Sequence, residues 1–184
     1  MRCASRWPGP DTVNLFAALA RMSQEYGRQD GLSALQEDWA GIGFRLGVHR
    51  FIAPQEEVAE VLAPPRTTRV PGAPPWVRGL ANLRGTVVPL FDLGHLLLGV
   101  PTPAQSRNRY LVLNSPDNPA GFLVDAVSGL RRFSRSQLRP PVADGLPTEL
   151  ASFVRGAFAG ADENRSVFSL RAVLDERLAA QAKA

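Results

Sequence analysis

The sequence predicts a mainly β fold, in which short strands form two small β-barrels. From position 41 onward, apolar and polar residues alternate over short stretches, which is the period of a half-buried strand. The 184 residues also include 16 glycines and 16 prolines, which interrupt the chain too often for a helical bundle. We count about eight or nine short strands, in two groups at 41–91 and 105–169.

The two ends of the chain differ from this β pattern. Residues 1–40 are predicted to be an N-terminal helical extension, in which Asp11 or Thr12 caps a helix over about 13–27. The β domain is assigned to 41–184. A C-terminal helix is predicted to close it, because apolar residues recur at helical spacing in Leu170, Val173, Leu174 and Leu178.

Turn and capping residues set the elements of the first group. Gly47-Val48 is predicted to turn a first hairpin, and a third apolar stretch covers 58–62. Proline suits the first turn of a helix, so Pro75 is expected to begin a short helix that runs through Leu80.

The next turn lies in the stretch GLANLRGTVVPLFDL. Arg84-Gly85 is predicted to be the turn into a strand, with the glycine supplying the unusual backbone angles. Asp92 is predicted to cap a short helix. Further strands are expected at 109–113, 121–127, 154–159 and 166–170.

Reactive side chains are scarce. The two histidines, His49 and His95, do not lie in a cluster with metal-ligand spacing, and Cys3 is the only cysteine. The sequence lacks a nucleophile elbow and a phosphate-binding glycine motif. We therefore expect no catalytic residue, no metal and no cofactor. An enzyme that pairs carboxylates from distant positions remains an open alternative, because such pairs are invisible in a sequence.

The charge balance leaves a second alternative open. The net charge is +4 and the pI is about 10.2. One basic stretch, LRRFSRSQLR, could contact phosphates, which would make the chain a nucleic-acid-binding β-barrel protein; its arginines are Arg131, Arg132, Arg135 and Arg139. It lacks further aromatic residues on which bases could stack. No apolar run is long enough to cross a membrane, so no direct membrane insertion is expected.

A protein-binding surface is the interpretation that the turn favours. Arg84 stands between two apolar runs, and a rigid hairpin that holds a guanidinium beside apolar surface has the composition of a binding hot spot. Glu60 is a second candidate. Under the period of two in a strand, Val58 and Glu60 are expected to share one face.

The order and spacing of several phrases resemble the CheW-like chemotaxis coupling protein family. They are EEVAEVL, RVPGAPPWVRGLANLRGTVVPLFDL, RYLVL and GFLVDAVSGL, and together they cover about 41–178. The N-terminal extension and the phrase WAGIGFRLG are similar to the branch of this family that serves type IV pilus twitching motility.

The resemblance implies a pair of five-stranded, SH3-like barrels with a hydrophobic groove between them, and no catalytic activity. It implies a cytoplasmic adaptor that binds a CheA-type histidine kinase and a methyl-accepting chemoreceptor tip in membrane-bound receptor arrays, and no nucleic acid. The family's arginine maps onto Arg84 and its acidic residue onto Glu60. The predicted partner-binding residues are Val58, Glu60, Arg84, Gly85, Val87 and Val88. Ser169-Leu170-Arg171 departs from the acidic phrase of many members, which puts contacts from the last hairpin in question.

Overall fold

The structure is a computed structural model that describes residues 38–115, 118–141, 145–158 and 165–178. Within these ranges the chain is mainly β, as predicted, with eleven strands in two mixed sheets and a few short helices. The predicted N-terminal helical extension lies outside the described residues, except for Asp38–Ala40, which open the first strand.

Sheet 1 has six strands in the order β8-β1-β2-β11-β10-β9. Its pairs are antiparallel except for β2 and β11, which run parallel. The six strands are β1 Asp38–Leu46, β2 His49–Pro54, β8 Ala126–Ser134, β9 Leu138–Arg139, β10 Val154–Phe158 and β11 Arg165–Phe168.

Sheet 2 has five strands in the order β3-β6-β7-β5-β4. The pair β5 and β7 is parallel, and the other pairs are antiparallel. The five strands are β3 Val58–Leu62, β4 Val77–Leu83, β5 Thr86–Asp92, β6 Arg109–Leu113 and β7 Gly121–Val124.

Three short α-helices lie between or after the strands of the described ranges. Helix α1, Leu93–Leu98, begins after Asp92, whose side chain accepts a hydrogen bond from the His95 amide, so the predicted cap is confirmed. Helix α2 covers Thr148–Ala151. Helix α3 covers Leu170–Val173 and continues as a π-helical turn through Leu178, where the C-terminal helix was predicted.

One large apolar cluster is shared by the two sheets. Phe44 and Phe51 of sheet 1 pack in it together with Phe122 of sheet 2, and α1 and α3 contribute Leu97 and Leu170. Successive side chains of a strand point to opposite faces, so Phe122 faces this cluster while its neighbour Leu123 does not. The shared cluster makes the two sheets one packed body, and residues from Asp38 onward form a single compact unit.

Each sheet also curls around a smaller cluster of its own. In sheet 2 every strand contributes, including both edge strands, with Leu62 from β3 and Ala81 from β4. In sheet 1 the Phe133 ring from β8 stacks on Phe158 from β10, with ring centroids 4.5 Å apart. Because strands from opposite sides of each sheet meet in this way, both sheets are strongly curved.

The strand pairing differs from the predicted division at 41–91 and 105–169. Strands β1 and β2 belong to the first stretch but pair with β8 and β11 of the second. Sheet 1 also has six strands where five were expected. Local periodicity reports which residues are extended, and it carries no information about partners that lie far along the chain.

The helix predicted from Pro75 to Leu80 is wrong. Pro74 and Pro75 lie in a turn, in which the Val77 amide donates to the Pro74 carbonyl oxygen over 2.9 Å. From Val77 the chain is strand β4, because it pairs with β5 along its whole length. Tertiary pairing overrides the local preference of proline for a first helical turn.

Glu57 ties the start of β3 to the last helix. Its two carboxylate oxygens accept hydrogen bonds from the Ser169 hydroxyl at 2.8 Å and from the Arg171 amide at 3.1 Å. Ser169 in turn caps α3 by accepting from the Ala172 amide. The stretch Ser169-Leu170-Arg171, which departs from the family pattern, therefore begins α3.

Replacing Glu57 by alanine is expected to lower the free energy of unfolding by about 1–3 kcal/mol, because two donors at the start of α3 lose their acceptor. Urea denaturation measures the change. Glu56→Ala is the matched control, since Glu56 is exposed and only its backbone carbonyl makes a hydrogen bond, to Asn114. A Glu57 variant as stable as the Glu56 variant would show that the contact contributes nothing.

Candidate functional site

The turn between β4 and β5 is a tight two-residue hairpin. Arg84 has φ 51° and Gly85 has φ 91°, so both central residues lie in the left-handed region, as in a type I′ turn. The Gly85 amide donates to Asn82 Oδ1 at 2.8 Å, which supports the turn from one side. The turn predicted from Arg84-Gly85 is confirmed.

Arg84 and Glu60 form an ion pair. Arg84 Nη2 lies 2.9 Å from Glu60 Oε2. The Arg84 side chain is 87% exposed and the Glu60 side chain 25% exposed, so the guanidinium stays accessible while it holds the carboxylate. Exposed pairs of this kind contribute about 1 kcal/mol or less to stability. The pair joins the hairpin tip to β3, on the opposite edge of sheet 2.

Val58 and Glu60 do not share a face, contrary to the prediction. A β-bulge shifts the register between them, so Val58 stands opposite Leu113 and Glu60 opposite Val112. Val58 therefore packs, half-buried, against the cluster shared by the two sheets. Glu60 faces the side of sheet 2 that carries the smaller cluster of that sheet.

Val87 and Val88 have opposite environments. Val87 is 58% exposed, whereas Val88 is 2% exposed and packs inside sheet 2. A side chain buried to this degree cannot contact a partner while the strand stays folded, so Val88 is removed from the proposed contact set. The alternation along β5 makes this difference unavoidable for adjacent residues.

The exposed face of the hairpin carries two apolar residues that sequence reasoning missed. Leu80 is 37% exposed and stands opposite the half-buried Pro89, while Val87 stands opposite Asn82. We call Leu80, Val87 and Pro89, with Arg84 at the tip, the hairpin surface. The alternation of a strand over 77–83 predicts that Leu80 lies on the exposed face. The prediction of a helix through Leu80 concealed this signal.

The other end of the hairpin is fixed by buried polar groups. Asp92 is fully buried and accepts hydrogen bonds from the Thr102 amide at 3.1 Å and from the Thr102 hydroxyl at 2.7 Å. Arg78 Nη1 lies 3.8 Å from Oδ2 of Asp92. Burial raises the pKa of the nearby Tyr110 hydroxyl, and the positive charge of Arg78 opposes this in part. The hydroxyl is therefore neutral at physiological pH.

The remaining polar candidates are dispersed. No group of three or more His, Cys, Asp or Glu side chains in the described ranges could hold a metal ion. The basic stretch divides between β8, which carries Arg131 and Arg132, and β9, where Arg139 donates to the Ser136 carbonyl oxygen. Across the described ranges, no helix is both long and apolar enough to cross a bilayer.

The described part of the chain is a two-sheet β scaffold with an exposed hairpin surface. The CheW-like domain family matches residues 40–177 of this sequence. The chain belongs to the CheW-like family. Proteins of this family are non-catalytic scaffolding proteins, so family membership confirms the prediction that the chain is not an enzyme.

Individual relatives agree with this assignment. Protein PilI of Pseudomonas aeruginosa is 42% identical over 134 residues, which are 70% of this chain and 73% of that protein. Chemotaxis protein CheW of Helicobacter pylori is 36% identical over 100 residues, which are 54% of this chain and 60% of that protein. The second match thus spans less than two thirds of its relative. The family resemblance predicted from the sequence is confirmed.

A solved structure has the same fold. The scaffolding protein TtCheW from Thermoanaerobacter tengcongensis superposes with a TM-score of 0.61 at 23% sequence identity. The superposition covers 74% of this chain and 90% of that chain. At this identity the likeness supports the two-sheet fold alone.

Proposed function

We propose that this chain is a signalling adaptor that couples a methyl-accepting chemoreceptor tip to a CheA-type histidine kinase. The observation that carries the proposal is the exposed guanidinium of Arg84, held by Glu60 beside the apolar Leu80 and Val87. This combination offers apolar area for burial and a planar donor fork for a partner's carboxylate or carbonyl groups. The hairpin surface is thus our proposed site for one of the two partners.

The pathway that we propose is type IV pilus twitching motility. The likeness to PilI supports this assignment over flagellar chemotaxis. We interpret the two curved sheets as SH3-like barrels with a hydrophobic groove between them. In this interpretation Val58 contributes to the contact with the other of the two partners. We place the adaptor in the cytoplasm, associated with membrane-bound receptor arrays.

Nucleic-acid binding is the less favoured function. The one aromatic residue within the basic stretch is Phe133, and its ring stacks on Phe158 beside Trp39. A ring engaged in this way is a poor platform for a base, and base stacking is a main source of affinity for single strands.

Two variants at one position test the hairpin surface. Arg84→Asp and Arg84→Gly are both expected to weaken binding to the kinase or the receptor by about tenfold or more, because both remove the guanidinium. Arg84→Gly also removes a side chain from a left-handed backbone position, so it is expected to keep or raise the stability of the hairpin. Titration calorimetry against each purified partner measures the affinity.

Arg107→Asp is the matched control, because Arg107 is exposed on the loop before β6 and undergoes the same change of charge. It is expected to bind both partners like the unmodified protein. If both Arg84 variants also bind both partners unchanged, the hairpin surface is not a binding site. If the unmodified protein binds neither partner, the adaptor function itself is wrong.

A further inference from the structure

A second surface of the molecule carries three arginines and lies on sheet 1. Strands β1, β2 and β8 line a groove of about 320 Å³ that contains Arg45, Arg50 and Arg131. We call it the arginine groove. Arg45 and Arg50 are direct cross-strand partners, and Arg131 stands opposite Gly41. Positions 41 and 45 lie on the same face of β1, so the three arginines extend from one face of the sheet.

The charges of the arginine groove favour an anionic ligand. Arg45 and Arg131 bring two guanidinium groups to the groove from different strands. Among the described residues that line the groove there is no carboxylate. Guanidinium groups bind carboxylates and phosphates through paired hydrogen bonds, which adds geometric selectivity to the charge.

The form of the groove favours a peptide over a nucleic acid. Its two aromatic lining residues, Phe44 and Phe51, are buried, so they offer no exposed ring to a base. Strand β8 is at the edge of sheet 1, where an extended peptide can add main-chain hydrogen bonds. Alternate side chains of such a peptide point to one side, about 7 Å apart, so its carboxylates would lie beside Arg131 on β8.

We propose that the arginine groove binds an acidic, extended segment of a partner protein. This surface lies on sheet 1, whereas the hairpin surface belongs to sheet 2, so the proposal does not depend on the proposed function. It adds a contact that selects partners by the charge of an extended segment.

The test uses fluorescence anisotropy with a labelled peptide of alternating Glu and Ala, a Gln and Ala peptide of the same length, and a labelled single-stranded oligonucleotide. We expect the full chain to bind the acidic peptide and not the Gln peptide. Arg45→Gln/Arg131→Gln is expected to weaken this binding by about tenfold or more. Arg131→Gln alone is measured in parallel, because Arg131 is exposed on an edge strand and its replacement is expected to leave the fold intact.

The control is Arg132→Gln/Arg139→Gln, which removes the same charge from exposed positions that do not line the groove. It is expected to bind the acidic peptide like the unmodified chain. If the groove and control variants weaken binding equally, binding depends only on net charge and the proposal is overturned. Tighter, groove-dependent binding of the oligonucleotide would make the ligand a nucleic acid instead, and the absence of peptide binding would also refute the proposal.

Discussion

Replacing Asp92 by alanine is expected to lower the free energy of unfolding by about 3–5 kcal/mol, a large part of the stability of a domain of this size. Asp92 is fully buried at the junction of β5 and α1. Its carboxylate accepts from the His95 amide, the Thr102 amide and the Thr102 hydroxyl, and Arg78 lies nearby. Alanine leaves these buried donors without an acceptor, so the cost exceeds the value of the lost hydrogen bonds.

Equilibrium urea denaturation followed by circular dichroism measures this change. Asp92→Asn keeps one acceptor oxygen and is expected to cost about half as much, which provides a folded variant if alanine prevents folding. Asp175→Ala is the control, because Asp175 is exposed in the last helical turn. An Asp92→Ala protein as stable as this control would show that the carboxylate is unimportant to the fold.

Replacing Phe122 by alanine is expected to destabilise the protein by about 3–5 kcal/mol and to preserve a single unfolding transition. Phe122 is fully buried on β7, where it packs in the cluster that the two sheets share. Its ring contacts Phe91 with centroids 5.8 Å apart. The cavity that alanine leaves therefore weakens the contact between the two sheets as well as the packing within sheet 2. Both sheets should unfold together.

Circular dichroism and tryptophan fluorescence, followed on the same samples, test this cooperativity. Trp39 belongs to the cluster of sheet 1, and Trp76 packs on Phe91 in the shared cluster. Coincident curves at a lower denaturant concentration are the expected result. Separate transitions would mean that the sheets fold independently, and the adaptor would then lack a rigid spacing between its surfaces. Val87→Ala, at an exposed position, should change stability by less than about 0.5 kcal/mol.

Local features could be read from the sequence because their causes are local. The Arg84-Gly85 turn follows from the need for left-handed backbone angles, and the Asp92 cap follows from the amides that begin α1. The first hairpin around Gly47 follows from its alternation. In each case the residues that decide the structure lie within a few positions of one another.

Long-range features were beyond such reasoning. The parallel pairs β2–β11 and β5–β7 join stretches that are distant in the chain, and no residue type specifies those partners. The bulge between Val58 and Glu60 places their side chains on opposite faces of β3. The bulge is visible only in the register between β3 and β6. The proline-rich approach to β4 concealed a strand, and with it Leu80 of the hairpin surface.

The candidate site was predicted in part. The sequence pointed to Arg84 and Glu60, and the structure brings their charged groups together. Whether they bind a partner remains a prediction. Adjacent valines were assigned to the site as a pair, although strand geometry exposes Val87 and buries Val88. The arginine groove combines residues of three strands, so it could not be recognised before the pairing of β1 with β8 was known.

The parallel pairing of β2 with β11 has a consequence for synthesis on the ribosome. Phe51 pairs with Ser166 and Ile52 with Val167, so β2 obtains its second neighbour only after more than 100 further residues have emerged, about as many as separate β2 from β11. Until then the edge of β2 is open to pairing with nascent chains nearby. Translation speed and chaperone supply should therefore affect the yield of this protein more than they would for a domain built from neighbouring hairpins.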